Sequence, residues 1–225
     1  MYTHPDLAGN IWVNDKEELY AGTDADGNGY KDDRYGYNFV HNTAAISWTD
    51  VNDIGHGTHV SGTIAAMNNG YGVCGIAGGD GTKDSGVKIM ICQVFAGDNS
   101  VSLNGEAQAI KYAADNGAVI LQCSWGYNSS EANEVEGYSP GPATVKEWAD
   151  TYPLEKEILD YFINNAGSPN GVIDGGIAIF ASGNEYAGSA SYPGAYSKCV
   201  TVSAVAADFT PASYTNFGPE VDISA

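Results

Sequence analysis

Apolar positions along the chain fall into short unbroken runs separated by stretches with helical spacing. Val87–Phe95 (VKIMICQVF), Ala118–Cys123 (AVILQC), Gly176–Ala181 (GIAIFA) and Cys199–Val205 (CVTVSAV) have the length and apolar content of buried strands. Between them, Leu103–Asn116 places Ala107, Ile110 and Ala114 on one helical face and meets a stop signal at Gly117. Pro153 sits at a first-turn position and opens Leu154–Ala166, whose Leu154, Ile158, Leu159 and Phe162 share a face. Strand–helix–strand alternation implies an α/β fold, a mostly parallel central sheet covered by helices on both faces. No internal repeat interrupts it. The one long irregular stretch, Gly126–Tyr152, is rich in Gly, Ser, Pro and Glu and reads as a surface insertion.

A length of 225 residues suffices for one such domain with a sizeable core. Composition changes the picture in charge above all: 9 basic against 28 acidic residues give a net charge of −19. That surface repels phosphate backbones, so the expected partners include no nucleic acid. It suits cation binding and solubility in saline or extracellular media. No apolar run approaches the ~20 residues that cross a bilayer, so no membrane partner is expected either. Cys74, Cys92, Cys123 and Cys199 lack the C-x-x-C spacing of metal or redox sites; buried thiols are expected, with two disulfides as the alternative.

Two segments carry candidate chemistry. Asp53–Ala66 (DIGHGTHVSGTIAA) is a helix of small residues with His56 at its entry, where an imidazole can act as general base and later as acid. His59 lies one turn on, on the same face; without the H-E-x-x-H arrangement a zinc site is disfavoured. Asp24–Asp33 (DADGNGYKDD) alternates oxygen side chains at Asp24, Asp26 and Asn28 like the first half of an EF-hand. Tyr35 stands where the closing Glu belongs, so closure of a local calcium loop falls to Asp32 or Asp33, with Tyr30 completing the candidate set; a plain acidic turn is the alternative.

The string HGTHV, with CSWG at Cys123–Gly126, ASGNE at Ala181–Glu185 and FGPEVDISA at Phe217–Ala225 following in order, resembles the subtilase family of serine peptidases. The resemblance implies a three-layer subtilisin-like fold and one catalytic domain over residues 1–225. It further implies His56 as catalytic base, His59 as a buried structural neighbour, and Asn184 as an oxyanion-hole donor. Ser124, Trp125 and Gly126 would hydrogen-bond an extended substrate through their backbone, with Asn99 on the opposite rail. On the same footing, Asp6, the side chain of Asn69 and the carbonyls of Met67, Tyr71 and Val73 form a Ca²⁺ site. The implied protein is a secreted or cell-envelope endopeptidase acting on proteins or peptides, with a pro-segment as a further candidate partner.

Against the family pattern, neither the aspartate-bearing strand before the HPDL segment (His4–Leu7) nor a G-T-S-M-A string falls within the 225 residues. The catalytic Asp and the nucleophilic Ser are therefore expected to lie outside them, leaving the chain by itself inactive. A peptide-binding pseudo-peptidase and a calcium-stabilised scaffold module are the competing readings. His56, Asn184 and Ser124–Gly126 are expected to face one cleft beyond the carboxyl ends of the strands.

Overall fold

Helices and parallel strands alternate largely as the apolar pattern implies. The computed structural model describes residues 1–225 and divides into two units, Met1–Ala109 and Ile110–Ala225. In the first, strands β1 (Gly36–Asn38) and β2 (Ile91–Gln93) pair in parallel, with Gly36 opposite Ile91. Helix α1 (His56–Ala65) lies between them in sequence, and β3 (Phe95–Ala96) forms an antiparallel hairpin with β4 (Asn99–Ser100). Leu7, Ile11, Tyr37, Phe39, Ala65 and Ala66 form this unit's buried core. Helix α2 (Leu103–Asp115) contains the boundary between the units.

The long run Val87–Phe95 is thus two short strands rather than one. The Gln93 side chain donates to the carbonyls of Ser47 and Phe95, and the chain turns there into the hairpin. Its partner β1 escapes the apolar pattern because Gly36-Tyr37-Asn38 is short and ends on polar Asn38. That side chain is fully buried yet paired: its amide donates to Ala45 O, and its oxygen accepts from the backbone of Val40 and His41.

The second unit holds a four-stranded parallel sheet in the order β5 (Ile120–Cys123), β6 (Ile177–Ala181), β7 (Val200–Ser203), β8 (Ile223–Ser224). Ala178 and Phe180 of β6 are buried in alternation. Helix α4 (Pro153–Asn165) packs on β6 with Leu159 and Phe162 fully buried, as the 3.6-residue period demands.

The stretch Gly126–Tyr152 corrects the expectation of an irregular surface insertion. It contains α3 (Val145–Thr151), started by Thr144, whose hydroxyl accepts from Glu147 N at 3.1 Å. Trp148 on α3 is fully buried; its indole N–H donates to the buried Glu155 carboxylate, and its ring stacks on Tyr192 at 5.3 Å. A seven-residue helix is too short for its period to outweigh the surrounding Gly, Ser and Pro. The cysteines also depart in part from expectation: all four are free, Cys123 and Cys199 are buried, Cys92 is half-buried and Cys74 is exposed. Cys74 closes an exposed loop where no neighbouring element covers it.

On α4, Asp160 accepts from Lys156 Nζ at 2.7 Å, Lys198 Nζ at 2.6 Å and Tyr196 Oη at 2.9 Å. Burial opposes its ionisation, but these three donors overcome it and hold the carboxyl at about 2. A lowered folded-state value gives stability that is present above the unfolded value near 3.8 and lost as pH falls through about 2. Asp160→Asn is therefore expected to lower unfolding free energy by about 1–2 kcal/mol at neutral pH. Urea titrations at several pH values should show that gap shrinking below pH about 4; a gap that does not depend on pH would contradict the ionic origin.

Candidate active site

Parallel strands end on one edge of their sheet, so the segments leaving β5 and β6 emerge side by side. Ser124, directly after β5, accepts from Gln122 Nε2 at 2.8 Å. Trp125 sets its ring edge-on to Phe180 of β6 at 5.3 Å, and two residues on the backbone N–H of Tyr127 donates to Tyr192 O at 2.8 Å. After β6, the turn Ser182–Ala187 carries the exposed Asn184. Asn184 and Ser124 line one open depression of about 270 Å³, floored by Ile179, Ala181 and Val202. The second unit thus brings together the expected oxyanion donor and the start of the expected substrate-pairing edge. The same depression includes Thr215, whose hydroxyl accepts from Ala204 N at 2.9 Å.

The remaining candidates lie in the first unit. His56 is the first residue of α1 and is exposed; the preceding Gly55 is left-handed at φ 70°, and its N–H donates to Asp53 Oδ1 at 2.7 Å. His59 is exposed rather than buried, a correction: it shares the His56 face of α1, and α1's buried residue is Ala65 at its far end. Asn99 opens β4 and is exposed, its amide reaching Ala96 O at 3.4 Å. Burial drives the Cys92 thiol up to about 12, and burial followed by the nearby carboxylates of Asp160, Glu155 and Asp222 does the same to Cys199. Neither is a thiolate nucleophile.

Two loops can hold a hard cation. Asp6 is 4% exposed; its Oδ2 accepts from Val73 N at 3.0 Å, while its buried Oδ1 has no partner. Met67 N donates to Asp6 O, and Asn69 Oδ1 accepts from Tyr71 N at 3.0 Å, so the loop Met67–Val73 wraps the carboxylate. A buried carboxylate oxygen without a hydrogen-bond partner fits an oxygen-liganded cation. In the second loop, carboxylate oxygens of Glu17, Asp24 and Asp26 lie within 4.8 Å of one another. Asn14 links Asp26 and Asp33 at 3.0 and 3.2 Å, and Asn28 Nδ2 donates to Asp33 Oδ2 at 2.8 Å. Asp32 turns away to accept from Gly22 N, and Tyr30 packs its ring against Tyr37 at 4.8 Å. Glu17 and Asn14 were missed in the sequence because they precede the alternating stretch; the only signal was an acid within reach upstream. Glu17 is fully buried and also accepts from the backbone of Ala25, Asp26 and Asp32.

Comparison with known proteins identifies the family and the fold. The model of the subtilase family (Peptidase S8) matches residues 1–225. Over 171 residues the chain is 32% identical to Subtilisin Savinase of Lederbergia lenta, covering 76% of this chain and 50% of that protein. It is 38% identical over 130 residues to Subtilisin-like protease 1 of Plasmodium vivax, covering 56% of this chain and 19% of that protein. Among solved structures it resembles a psychrophilic subtilisin-like protease of Pseudoalteromonas sp. AS-11, with TM-score 0.54 and 26% identity, covering 99% of this chain and 38% of that one. The chain spans half or less of the length of these relatives. No helix is long and apolar enough to cross a membrane.

Gly72 is left-handed at φ +64°, and a Cβ there would lie 2.1 Å from Asp6 Oδ2. Gly72→Ala is therefore expected to cost upwards of about 1 kcal/mol by combined strain and displacement of the carboxylate. An unchanged urea midpoint would show that Asp6 is not held over this loop.

Proposed function

Because the chain belongs to the subtilase family, we propose that it forms part of a serine endopeptidase that hydrolyses peptide bonds in proteins. His56 takes the proton from the nucleophilic hydroxyl and later returns it to the leaving amine. Asn184 donates its side-chain N–H to the oxyanion as the tetrahedral intermediate forms. The backbone of Ser124, Trp125 and Gly126 pairs with an extended peptide, and Asn99 contributes to the opposite rail. The observation that carries this reading is the exposed amide of Asn184 sharing a depression with Ser124 beyond the strand ends.

Calcium fits as a structural partner. Asp6, Asn69 and the carbonyls of Met67, Tyr71 and Val73 would hold one ion. Glu17, Asp24 and Asp26, with Asn28 and Asp33 beside them, would hold another. The ions neutralise clustered carboxylates and fix the two loops; they take no part in bond breaking. Such loops, with an acidic surface, suit a secreted or cell-envelope protein acting on protein or peptide substrates.

Kinetics on the whole protein test the catalytic assignment. Asn184→Ala is expected to lower kcat by about 10²–10³-fold with little change in KM. His56→Ala should reduce kcat by upwards of about 10³-fold. Undiminished turnover in the His56 variant would overturn the assignment.

Calorimetry tests the metal assignment. A ligand bound only by the folded state adds about 2.7 kcal/mol at a hundredfold excess over Kd. Chelation should therefore lower Tm, and Glu17→Gln should shrink that shift. Equal Tm with calcium and with chelator would remove both sites.

A further inference from the structure

The turn that presents Asn184 has no regular secondary structure, yet a preorganised donor must hold its position to within about half an ångström. The segment Tyr214–Phe217 runs alongside it. Tyr186 N donates to Tyr214 O at 2.9 Å, Asn216 N to Gly183 O at 3.1 Å, and Phe217 N to Ala187 O at 3.0 Å. At the centre of this segment, Asn216 is fully buried.

Its side chain brackets Asn184 from both sides. Asn216 Oδ1 accepts from Glu185 N at 2.9 Å and from Ala187 N at 3.0 Å. Asn216 Nδ2 donates to Ser182 O at 3.0 Å and Glu185 Oε2 at 2.5 Å, with Ser191 Oγ also within reach at 3.3 Å. The Asn216 carbonyl in turn accepts from Ser182 Oγ at 3.1 Å. Residues 182, 183, 185 and 187 are thus all tied to one residue, and Asn184, which lines the depression, is held between them. Only a short carboxamide offers an acceptor and a donor on one plane at this reach; Asp lacks the donor, and Gln is a methylene too long. Gly183 completes the fit. It is left-handed at φ +108°, and a Cβ there would lie 2.2 Å from Asn216 Nδ2, so the amide occupies the space a side chain would need.

We propose that Asn216 is a positioning residue for the oxyanion donor: it fixes the turn so that the Asn184 amide is aimed before substrate arrives. This rests on the assignment of Asn184 above. A brace of this kind acts on the transition state through Asn184, since misplacing a reacting group by about 1 Å costs on the order of 10²-fold in rate.

The test is a double-mutant cycle on the whole protein, with Asn216→Ala and the milder Asn216→Ser, each alone and combined with Asn184→Ala. Rates are taken per competent site, counted with an irreversible serine-directed inhibitor, so that partial misfolding does not pass for slow chemistry. Expected is a fall in kcat of about 10–100-fold with KM within about threefold. In the Asn184→Ala background the same substitution should cost less than about threefold. A kcat per site within about twofold of the parent, or an equal loss in both backgrounds, would overturn the proposal. Amide exchange separates the brace from the chemistry. The Glu185 and Ala187 amides should exchange at least about tenfold faster in Asn216→Ser while those of β6 and β7 stay protected. Unchanged exchange removes the brace. If Asn184→Ala leaves kcat intact while exchange still accelerates, the oxyanion assignment fails and the brace stands as structural only.

Discussion

Parallel pairing of β5, β6, β7 and β8 is the constraint on which the candidate site in the second unit depends. Such a ladder has to be built from strands whose apolar faces are covered, which is why α4 lies on β6 with Leu159 and Phe162 buried beneath it. It also sends every strand the same way, so the loops leaving β5 and β6 must emerge at one edge. Ser124 and Asn184 meet there although 60 residues separate them (184 − 124). The chemistry is carried by irregular backbone, and the ladder supplies its reference frame.

Irregular backbone that has to stay still needs its own fastening, and this protein takes it from polar side chains more than from ion pairs. With 9 cationic and 28 acidic residues, most carboxylates cannot find a Lys or Arg. They recruit backbone N–H and hydroxyl donors instead. Glu17 gathers amides from Ala25, Asp26 and Asp32, and Asp80 is held at about 2 chiefly by the Thr82 hydroxyl, then by Thr82 N–H and the Ser85 hydroxyl. Three lysines sit on helix surfaces in i,i+4 pairs with Asp, of which the exposed Lys111–Asp115 and Lys146–Asp150 each contribute a few tenths of a kcal/mol. Carboxylates are thus left to crowd together around Asp24, beside Glu17 and Asp26, in one of the two loops proposed to hold a cation.

Strands and helices of the second unit were legible because burial writes a period into the sequence: GIAIFA and the Leu159–Phe162 face appear in the structure within a residue or two of their expected bounds. Short elements were not. β1 owes its burial to Asn38, a polar residue satisfied by contacts that no local pattern reveals. α3 hid in a Gly- and Pro-rich stretch although Trp148 is among the most deeply buried side chains. Among the candidate residues, HGTHV and ASGNE singled out His56 and Asn184 by family resemblance, and both prove exposed. Glu17 and Asn216 stayed silent because their side-chain partners lie 7 or more and 25 or more residues away (24 − 17 and 216 − 191), and distance along the chain erases the signal.

Sequence separation also orders the assembly of the sheet in time. β6 and β7 pair with an offset of 21 residues (200 − 179), as do β7 and β8 (223 − 202), whereas β5 reaches β6 across 57 (177 − 120). Closing the longer loop costs about 0.9 kcal/mol more in chain entropy, by the logarithmic dependence on length. Loop-closure entropy therefore favours pairing of the three C-terminal strands before β5 docks onto their edge. In a pulse-labelling experiment, protection would reach the amides of β6 to β8 before those of Ile120–Cys123. Ser124 then arrives last at a place where Asn184 is already waiting.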